Sequence, residues 1–373
     1  MRLLFMSSST SLSHLARTLE LARFCRHQGF DISYACGVGS WPMLARAYGF
    51  IPIRLSDVRL EGAKTFGIGS PSADDLVKSY ASEMKAIERV RPDGIISDWR
   101  LTASFSAAAS DVRCIQLWNA NWGLFAGYPS LVEPTLLSRY SSVLSEWRVP
   151  FDEFTLRVGG SSFATRDSIF RGDLNLIPDY PLFRNCNTAT VDANCSFIGP
   201  LVPLPLEIPA HPDTRAKHDI TIAFGGHRLP ELERVLMEVV SSLGFSCFKL
   251  ESTPQVEVAE GESFSFFPER LKIGKIVITH GGIGSIYQSL FVGKPLLVIP
   301  QHLEQFDNGS RVKDLNVGDL LNVNDKDKPK LRRAITSLVD DDVSRLAAIN
   351  LGILMRKMDP LSLAHQIISN FLR

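Results

Sequence analysis

Between Val277 and Ser310 the sequence reads VITHGGIGSIYQSLFVGKPLLVIPQHLEQFDNGS, and several of its residues are suited to gripping an anionic, hydroxyl-rich ligand. Gly281, Gly282 and Gly284 let backbone amides come close to a ligand. A helix starting after them directs N–H groups and a positive dipole at an anion. His280 can donate a hydrogen bond to a phosphate oxygen, and the Ser285 hydroxyl can add a second. Gln288 lies three residues beyond Ser285 and so shares its helical face. Glu304 and Gln305 follow the next hydrophobic run, an acid–amide pair suited to sugar hydroxyls. A glycine-rich turn between strand and helix is common, and alone it is more often structural than functional. The full spacing H-G-G-x-x-S-x-x-Q, then G-x-P, a hydrophobic strand and P-x-x-x-E-Q-x-x-N, is much rarer.

To be positioned, these groups need a strand over Lys275–Thr279, a loop over His280–Gly284, a helix over Ser285–Val292 and a strand over Leu296–Ile299. The same alternation runs through the chain. Arg2–Ser7 reads as a buried strand, His14–Gln28 as a helix with apolar residues at helical spacing, and Asp31–Ala35 as the next strand. Gly94–Ser97 is a strand with Asp98 at its C-terminal end, followed by an Ala-rich helix over Ala103–Ser110 and a strand over Cys114–Trp118. Five prolines between Gly199 and Asp219 forbid a regular element and mark a linker. A second series follows, with Ile220–Phe224 as a strand and Pro230–Leu243 as a helix, and Leu361–Leu372 closes the chain as an amphipathic helix. Alternating strands and helices predict parallel, doubly wound sheets, which bind ligands at the C-terminal ends of their strands. The expected layout is a domain over residues 1–200, a Pro-rich linker over 201–218, a second domain over 219–358, and a terminal helix over 359–373 returning to the first domain. Two such domains leave a cleft where two substrates can meet.

Composition narrows the choice of ligand. The chain has 373 residues, 45% of them apolar and 21% charged, enough to fill two cores. Forty basic and forty acidic residues cancel, so no chain-wide field points to nucleic acid or to an anionic membrane. Anion binding must then come from local geometry. The six cysteines form no CxxC pair, which argues against zinc. Cys186 and Cys195 are close enough in sequence to bridge, although nothing marks the chain for export. No signal segment and no run of ~18 apolar residues is present, so a protein of the reducing cytoplasm is expected.

The motif spacing from Phe266 to Asn308 resembles that of GT-B-fold nucleotide-sugar glycosyltransferases, the UDP-glycosyltransferase superfamily with its bacterial antibiotic- and glycolipid-modifying members. The likeness extends over essentially the whole chain. It implies an α/β protein of two Rossmann-like, doubly wound domains facing across a cleft. By position, His280 would meet the donor α-phosphate, with Gly282, Gly284 and Ser285 completing the diphosphate cradle and Gly225 beside it. Glu304 and Gln305 occupy the acid–Gln pair that holds the transferred sugar, and Asn308 matches the family's Asn in the following helix. Phe266 or Phe267 would stack on the base or else pack in the core. Gln288 stands where the family usually has a Glu on the ribose hydroxyls. A neutral amide lacks the charge-assisted strength of a carboxylate, which leaves a dTDP-sugar or a more weakly held UDP-sugar as donor.

In the first domain SLSHLARTLELARF aligns with the family's G-H-x-x-P opening, with His14 at the histidine and Ser13 and Arg17 in place of Gly and Pro. Asp98 is where many members pair an Asp with this histidine. An Asp holding one imidazole nitrogen leaves the other free to take a proton from an acceptor hydroxyl. Arg17 would greet an acidic acceptor or simply be solvated. Trp118, Trp122 and Phe125 would line an apolar acceptor pocket or belong to the core, and Gly62–Ser72 would form a mobile loop over that site.

The resemblance thus implies an inverting glycosyltransferase acting on a nucleoside diphosphate sugar and a small, partly apolar acceptor such as a natural product, with lipid or saccharide acceptors also possible. It would work without metal or other cofactor, as a monomer or homodimer. A sugar-nucleotide epimerase of related fold would need several clustered Asp, Glu and Arg groups, which are not evident. A non-catalytic partner protein would be expected to lose the histidine or the phosphate motif, and both are present.

Overall fold

A computed structural model gives the structure of the protein and describes residues 1–37, 42–62, 68–160, 169–184, 191–202, 217–224, 230–250, 271, 274–322 and 327–373. The chain folds as two units. One takes in Met1–Leu201 and Asp359–Arg373, and the other takes in Ser265–Met358 with the described part of Val202–Gln255.

The strands of the first unit are β1 (Arg2–Ser7), β2 (Asp31–Gly37), β3 (Ile53–Leu55), β4 (Leu60–Glu61), β5 (Ser70–Pro71), β6 (Gly94–Asp98), β7 (Arg113–Leu117), β8 (Leu174–Ile177) and β9 (Cys195–Phe197). Seven of them form one parallel sheet in the order β3-β2-β1-β6-β7-β8-β9, while β4 and β5 make a small antiparallel ribbon. Alternation along β1 explains the double winding. Leu3 and Phe5 enter a core with Leu15, Leu19 and Ala22 of helix α1 (Leu12–His27) and with Ala364, Ile368 and Leu372 of the C-terminal helix. Leu4 and Met6 face the opposite core with Ala86, Ile87, Ala103 and Ala107. Burying such side chains contributes roughly 1.5–3 kcal/mol each. The expected helix at the end of the chain is Pro360–Leu372, capped by the Asp359 carboxylate on the Ser362 N–H. It lies so close to β6 that a Cβ on Gly94 would come within 2.8 Å of Leu372. Arg113 fastens it by donating to the carbonyls of Phe371 and Leu372.

The second unit holds β10 (His218–Ala223), β11 (Cys247–Lys249), β12 (Gly274–Thr279), β13 (Leu296–Val298) and β14 (Gly318–Leu320), all parallel, in the order β11-β10-β12-β13-β14. Ile220, Ile222, Ile276, Ile278 and Leu297 share one core with Leu232, Leu236, Leu331 and Ile335 from the helices Pro230–Ser242 and Lys328–Val339. Ala223 and Val277 face another, with Leu250 and Val292. The strand order of each sheet places β1 and β6, and β10 and β12, as central neighbours. Such strand ends carry the sites of doubly wound folds.

The Pro-rich stretch 203–216 lies outside the described residues. So do residues 63–67 of the proposed mobile loop Gly62–Ser72, but its ends are tied down. Leu60–Glu61 pairs with Ser70–Pro71, and the Gly69 carbonyl accepts a hydrogen bond of 2.9 Å from the Trp147 indole. Cys195 is a free thiol, as are Cys25, Cys36, Cys114 and Cys247. Burial pushes Cys25 and Cys36 up to about 12, so neither offers a thiolate nucleophile near neutrality. Among the described residues no helix is long and apolar enough to cross a membrane.

Candidate active site

The first site is built at the C-terminal end of β6 and the first turns of α1. Ser11 caps α1, its hydroxyl accepting from the Ser13 N–H, and this fixes the helix start. His14 and Arg17, three residues apart, therefore share a helical face. Both reach Asp98, the last residue of β6, which is fully buried. His14 Nδ1 lies 2.9 Å from Asp98 Oδ1. Arg17 donates from Nη2 to the same oxygen at 2.7 Å and from Nε to Oδ2.

Arg17 is only 4% exposed and is not the solvated side chain that a surface position would give. Its other terminal nitrogen donates to Asn119 Oδ1 at 2.7 Å, and Asn119 donates in turn to Asp179 Oδ1 at 3.1 Å. Asp179 pairs with Arg184 at 3.2 Å and accepts from the Ala120 N–H at 2.6 Å. Burial pushes the Asp98 carboxyl up, but Arg17 and His14 beside it outweigh that and hold it below its usual value. Two groups approach Nδ1, Asp98 Oδ1 at 2.9 Å and Arg17 Nη2 at 3.2 Å. Arg17 Nη2 has the shorter bond to Asp98 Oδ1, so in the neutral imidazole the assignment that suits the ionised carboxylate has Nδ1–H donating to Asp98 and the lone pair on Nε2. Nε2 makes no hydrogen bond among the described residues, and the side chain keeps 16% of its surface exposed.

Sequence reasoning missed Trp99, next to Asp98. Its backbone is left-handed, with φ 55°, uncommon for a bulky residue and costly enough to need surrounding support. That turn lays the indole parallel to the His14 imidazole, with centroids 5.3 Å apart and an interplanar angle of 7°. Behind it stand Trp122 at 4.4 Å and Phe170 at 5.1 Å. Trp118, Trp122 and Phe125 are 1%, 3% and 0% exposed, which is the core-packing alternative for these rings. Trp118 stacks on Tyr128 and donates from Nε1 to Asn175 at 3.1 Å. Trp99 is the half-buried member of this aromatic group, and its signal in the sequence is adjacency to a strand-end acid.

Behind Trp99, Arg100 is buried among Glu83, Asp57 and Ser79. It donates to Glu83 Oε1 at 2.9 Å and to Asp57 Oδ1 at 3.0 Å. Thr102 and Ser106 complete the Glu83 carboxylate at 2.8 and 2.9 Å. A satisfied ionic network of this kind fixes the segment that carries Trp99.

The second site is the turn from β12 into a helix over Ile283–Phe291, which begins two residues earlier than the sequence pattern suggests because Gly282 serves as its N-cap. The Ile286 N–H makes the first bond back, to the Gly282 carbonyl at 3.1 Å. The N–H groups of Ile283, Gly284 and Ser285 therefore have no partner within the helix and point out of its positive end. Gly281 has φ 93°, and a Cβ there would lie 2.7 Å from Val298 and 2.8 Å from the Gln305 carbonyl. Asn308, fully buried, donates to the Gly281 carbonyl at 2.9 Å and locks the turn. At Gly282 a Cβ would lie 2.8 Å from His280 Nε2, so the missing side chain leaves room for the imidazole.

His280, Gly282, Gly284 and Ser285 thus come together at one helix end, and Gln288 is one turn further on, 7% exposed. Glu304 and Gln305 open the helix Leu303–Asp314, which follows β13. Glu304 is half-buried, while Gln305 Oε1 accepts from the Gln301 N–H at 2.8 Å. Gly225, Phe266 and Phe267 lie outside the described residues.

Comparison with known proteins agrees with this architecture. Residues 267–359 match the family model of the erythromycin biosynthesis protein CIII-like C-terminal domain. An uncharacterized glycosyltransferase of Methanosarcina mazei is 24% identical over 351 residues, 85% of each chain. The glycosyltransferase of kitacinnamycin superposes with a TM-score of 0.70 at 20% identity, covering 99% of this chain and 98% of that one. The spinosyn rhamnosyltransferase SpnG complexed with thymidine diphosphate gives 0.68 at 17% identity, covering 98% and 100%. At these identities the structural likeness is one of fold. UDP-glucuronosyltransferases also match, among them 1A9 of Homo sapiens at 25% identity over 210 residues, but the matched span is only 38% of that relative's length. The fold is that of GT-B glycosyltransferases. Within that fold the chain is similar to UDP-glucuronosyltransferases over about half its length, and residues 267–359 resemble the EryCIII-like C-terminal domain.

Proposed function

We propose that the protein is an inverting glycosyltransferase that moves a sugar from a nucleoside diphosphate sugar, dTDP- or UDP-linked, to a hydroxyl of a small, partly apolar acceptor such as a natural product. The observation that carries the reading is the His14–Asp98 contact of 2.9 Å, with the opposite imidazole nitrogen unbonded among the described residues. His14 Nε2 takes the acceptor's hydroxyl proton as the oxygen attacks the anomeric carbon. The bond from that carbon to the diphosphate oxygen breaks, and its electron pair leaves with the nucleotide. A single displacement inverts the anomeric centre. Asp98 holds the imidazole in the required tautomer and stabilises the imidazolium that forms.

In the second unit the N–H groups of Ile283, Gly284 and Ser285, which have no partner within the helix, would with His280 receive the donor diphosphate and the charge it gains on leaving. Gln288 would meet the pentose, and Glu304 with Gln305 the sugar. The reading calls on no metal, since fixed backbone donors supply the electrostatic stabilisation. It is supported by solved relatives of the same fold, SpnG complexed with thymidine diphosphate and with spinosyn aglycone. A cytoplasmic monomer or homodimer accords with it.

Thermal-shift measurements with UDP, dTDP and GDP test the donor half, and at least one should raise the melting temperature. His14→Ala should keep that shift and lose transfer by a factor of roughly 10²–10⁴. Full turnover by His14→Ala would rule out His14 as the base, and no shift with any nucleotide would rule out the donor site.

A further inference from the structure

We propose that Arg17 is a positioning residue of the His14 site, holding the Asp98 carboxylate ionised and fixed beside the imidazole and thereby setting the acid limit of the activity. The inference rests on the reading of His14 as proton acceptor. Its basis is geometric: one guanidinium binds both carboxylate oxygens and is itself held by Asn119 at 2.7 Å. Such a fork fixes orientation as well as charge.

The charges around Asp98 show why a cation is needed there. Helix α1 supplies His14 and Arg17. From β2 comes the buried Tyr34 hydroxyl, bonded to Thr18 at 2.6 Å and without charge. Beyond β7 stand the neutral Asn119 and, behind it, Asp179 paired with Arg184. After β6, Trp99 contributes a ring, and Arg100 is consumed by Glu83 and Asp57. Arg17 is therefore the one permanent cation bonded to Asp98 among the described residues. With it, a neutral His14 leaves the Arg17–Asp98 pair without net charge. Without it, a fully buried carboxylate faces only an imidazole, and burial drives the site to take up a proton. A protonated site no longer offers His14 both an anionic partner and a free Nε2.

Two variants separate charge from packing. Arg17→Gln retains a hydrogen-bond donor and loses the charge, and Arg17→Lys retains the charge and loses the fork. The acid limb of kcat/KM against pH should move up by about one unit or more in Arg17→Gln. In Arg17→Lys it should stay close to its wild-type position. Infrared spectra recorded during acidification read the carboxyl without any activity. Arg17→Gln should show a protonated-carboxyl band at a pH where the wild type shows none, and Asp98→Asn in the same background should remove it. A uniform loss of rate at every pH, with the limb unmoved and no new band, would overturn the proposal.

If the Arg17 variants do not fold, the wild-type spectrum decides. An Asp98 band that grows in only below the ordinary aspartate range supports the proposal, and one that grows in above that range overturns it. Because this readout needs no donor or acceptor, it stands even if no transfer is found and the functional reading fails.

Discussion

The imidazole of His14 lies flat against the indole of Trp99, 5.3 Å between centroids and 7° from parallel. The stack exists because Trp99 adopts a left-handed backbone immediately after the strand end that presents Asp98. It restrains the one ring rotation that the Nδ1–Asp98 bond leaves open. Trp99→Leu should therefore fold, with a stability loss of about 1–3 kcal/mol from the lost aromatic contacts. Its kcat should fall roughly ten- to hundredfold through misplacement of the base, with the nucleotide-induced thermal shift unchanged. Steady-state kinetics beside the thermal shift check this. A kcat equal to wild type would show that the stack is packing alone.

Asp98 links stability to pH. Its carboxyl is held below the usual value in the fold, so the stabilisation it brings is present above the unfolded value of 3.8 and is lost as pH falls through the lower folded value. Asp98→Asn leaves the buried Arg17 guanidinium without its anion, a change that typically costs about 3–5 kcal/mol. The melting-temperature gap between wild type and Asp98→Asn should be full at neutral pH and should narrow below about pH 4. A gap that stays constant into acid would mean that the carboxylate charge contributes nothing.

Much of this arrangement is legible in the sequence, for identifiable reasons. Apolar runs bounded by turns place β1, β6 and β12, and a strand end followed by a helix puts His14, Asp98 and His280 at sheet edges whatever the tertiary detail. Arg17 is not legible in the same way. Its partners Asp98 and Asn119 are 81 and 102 residues away, so only the strand order β1-β6-β7 brings them to one guanidinium. Trp99 is hidden because nothing in its neighbours announces a left-handed residue. The Trp118–Phe125 stretch is ambiguous because aromatic density reads the same in a core as in a pocket. The start of the Ile283–Phe291 helix is displaced because Gly282, counted as loop, is its N-cap.

Adjacent glycines in the phosphate turn should respond differently to one methyl group. At Gly281, φ 93° and a Cβ 2.8 Å from the Gln305 carbonyl oppose alanine on both backbone and contact grounds. Gly281→Ala should lose about 2–4 kcal/mol, read by denaturant unfolding. At Gly282, φ is −61°, which any residue accepts, and the three atoms nearest a Cβ all belong to the His280 ring, the closest at 2.8 Å. Gly282→Ala should therefore keep most of its stability and displace the imidazole. Nucleotide affinity should drop by tenfold or so, the loss of one hydrogen bond to a charged ligand. Equal nucleotide affinity in Gly282→Ala and wild type would remove His280 from the donor site.

Gln288 is the residue through which the donor pentose can be tested. It sits one turn beyond Ser285 on the helix that faces the proposed diphosphate and is 7% exposed. A carboxylate accepts from two ribose hydroxyls with charge assistance, whereas an amide accepts through one oxygen and donates through nitrogen. A charged acceptor adds about 1 kcal/mol over a neutral one, or roughly fivefold in affinity, and the gain requires a 2′-hydroxyl to bind. Gln288→Glu should thus raise the affinity for UDP over dTDP by about that factor relative to the parent, even if burial of the new charge weakens both. Isothermal titration with the two nucleotides on both proteins supplies the ratio. A ratio unchanged by the substitution would mean that the side chain at 288 does not reach the pentose, and donor choice would have to lie elsewhere in the second unit.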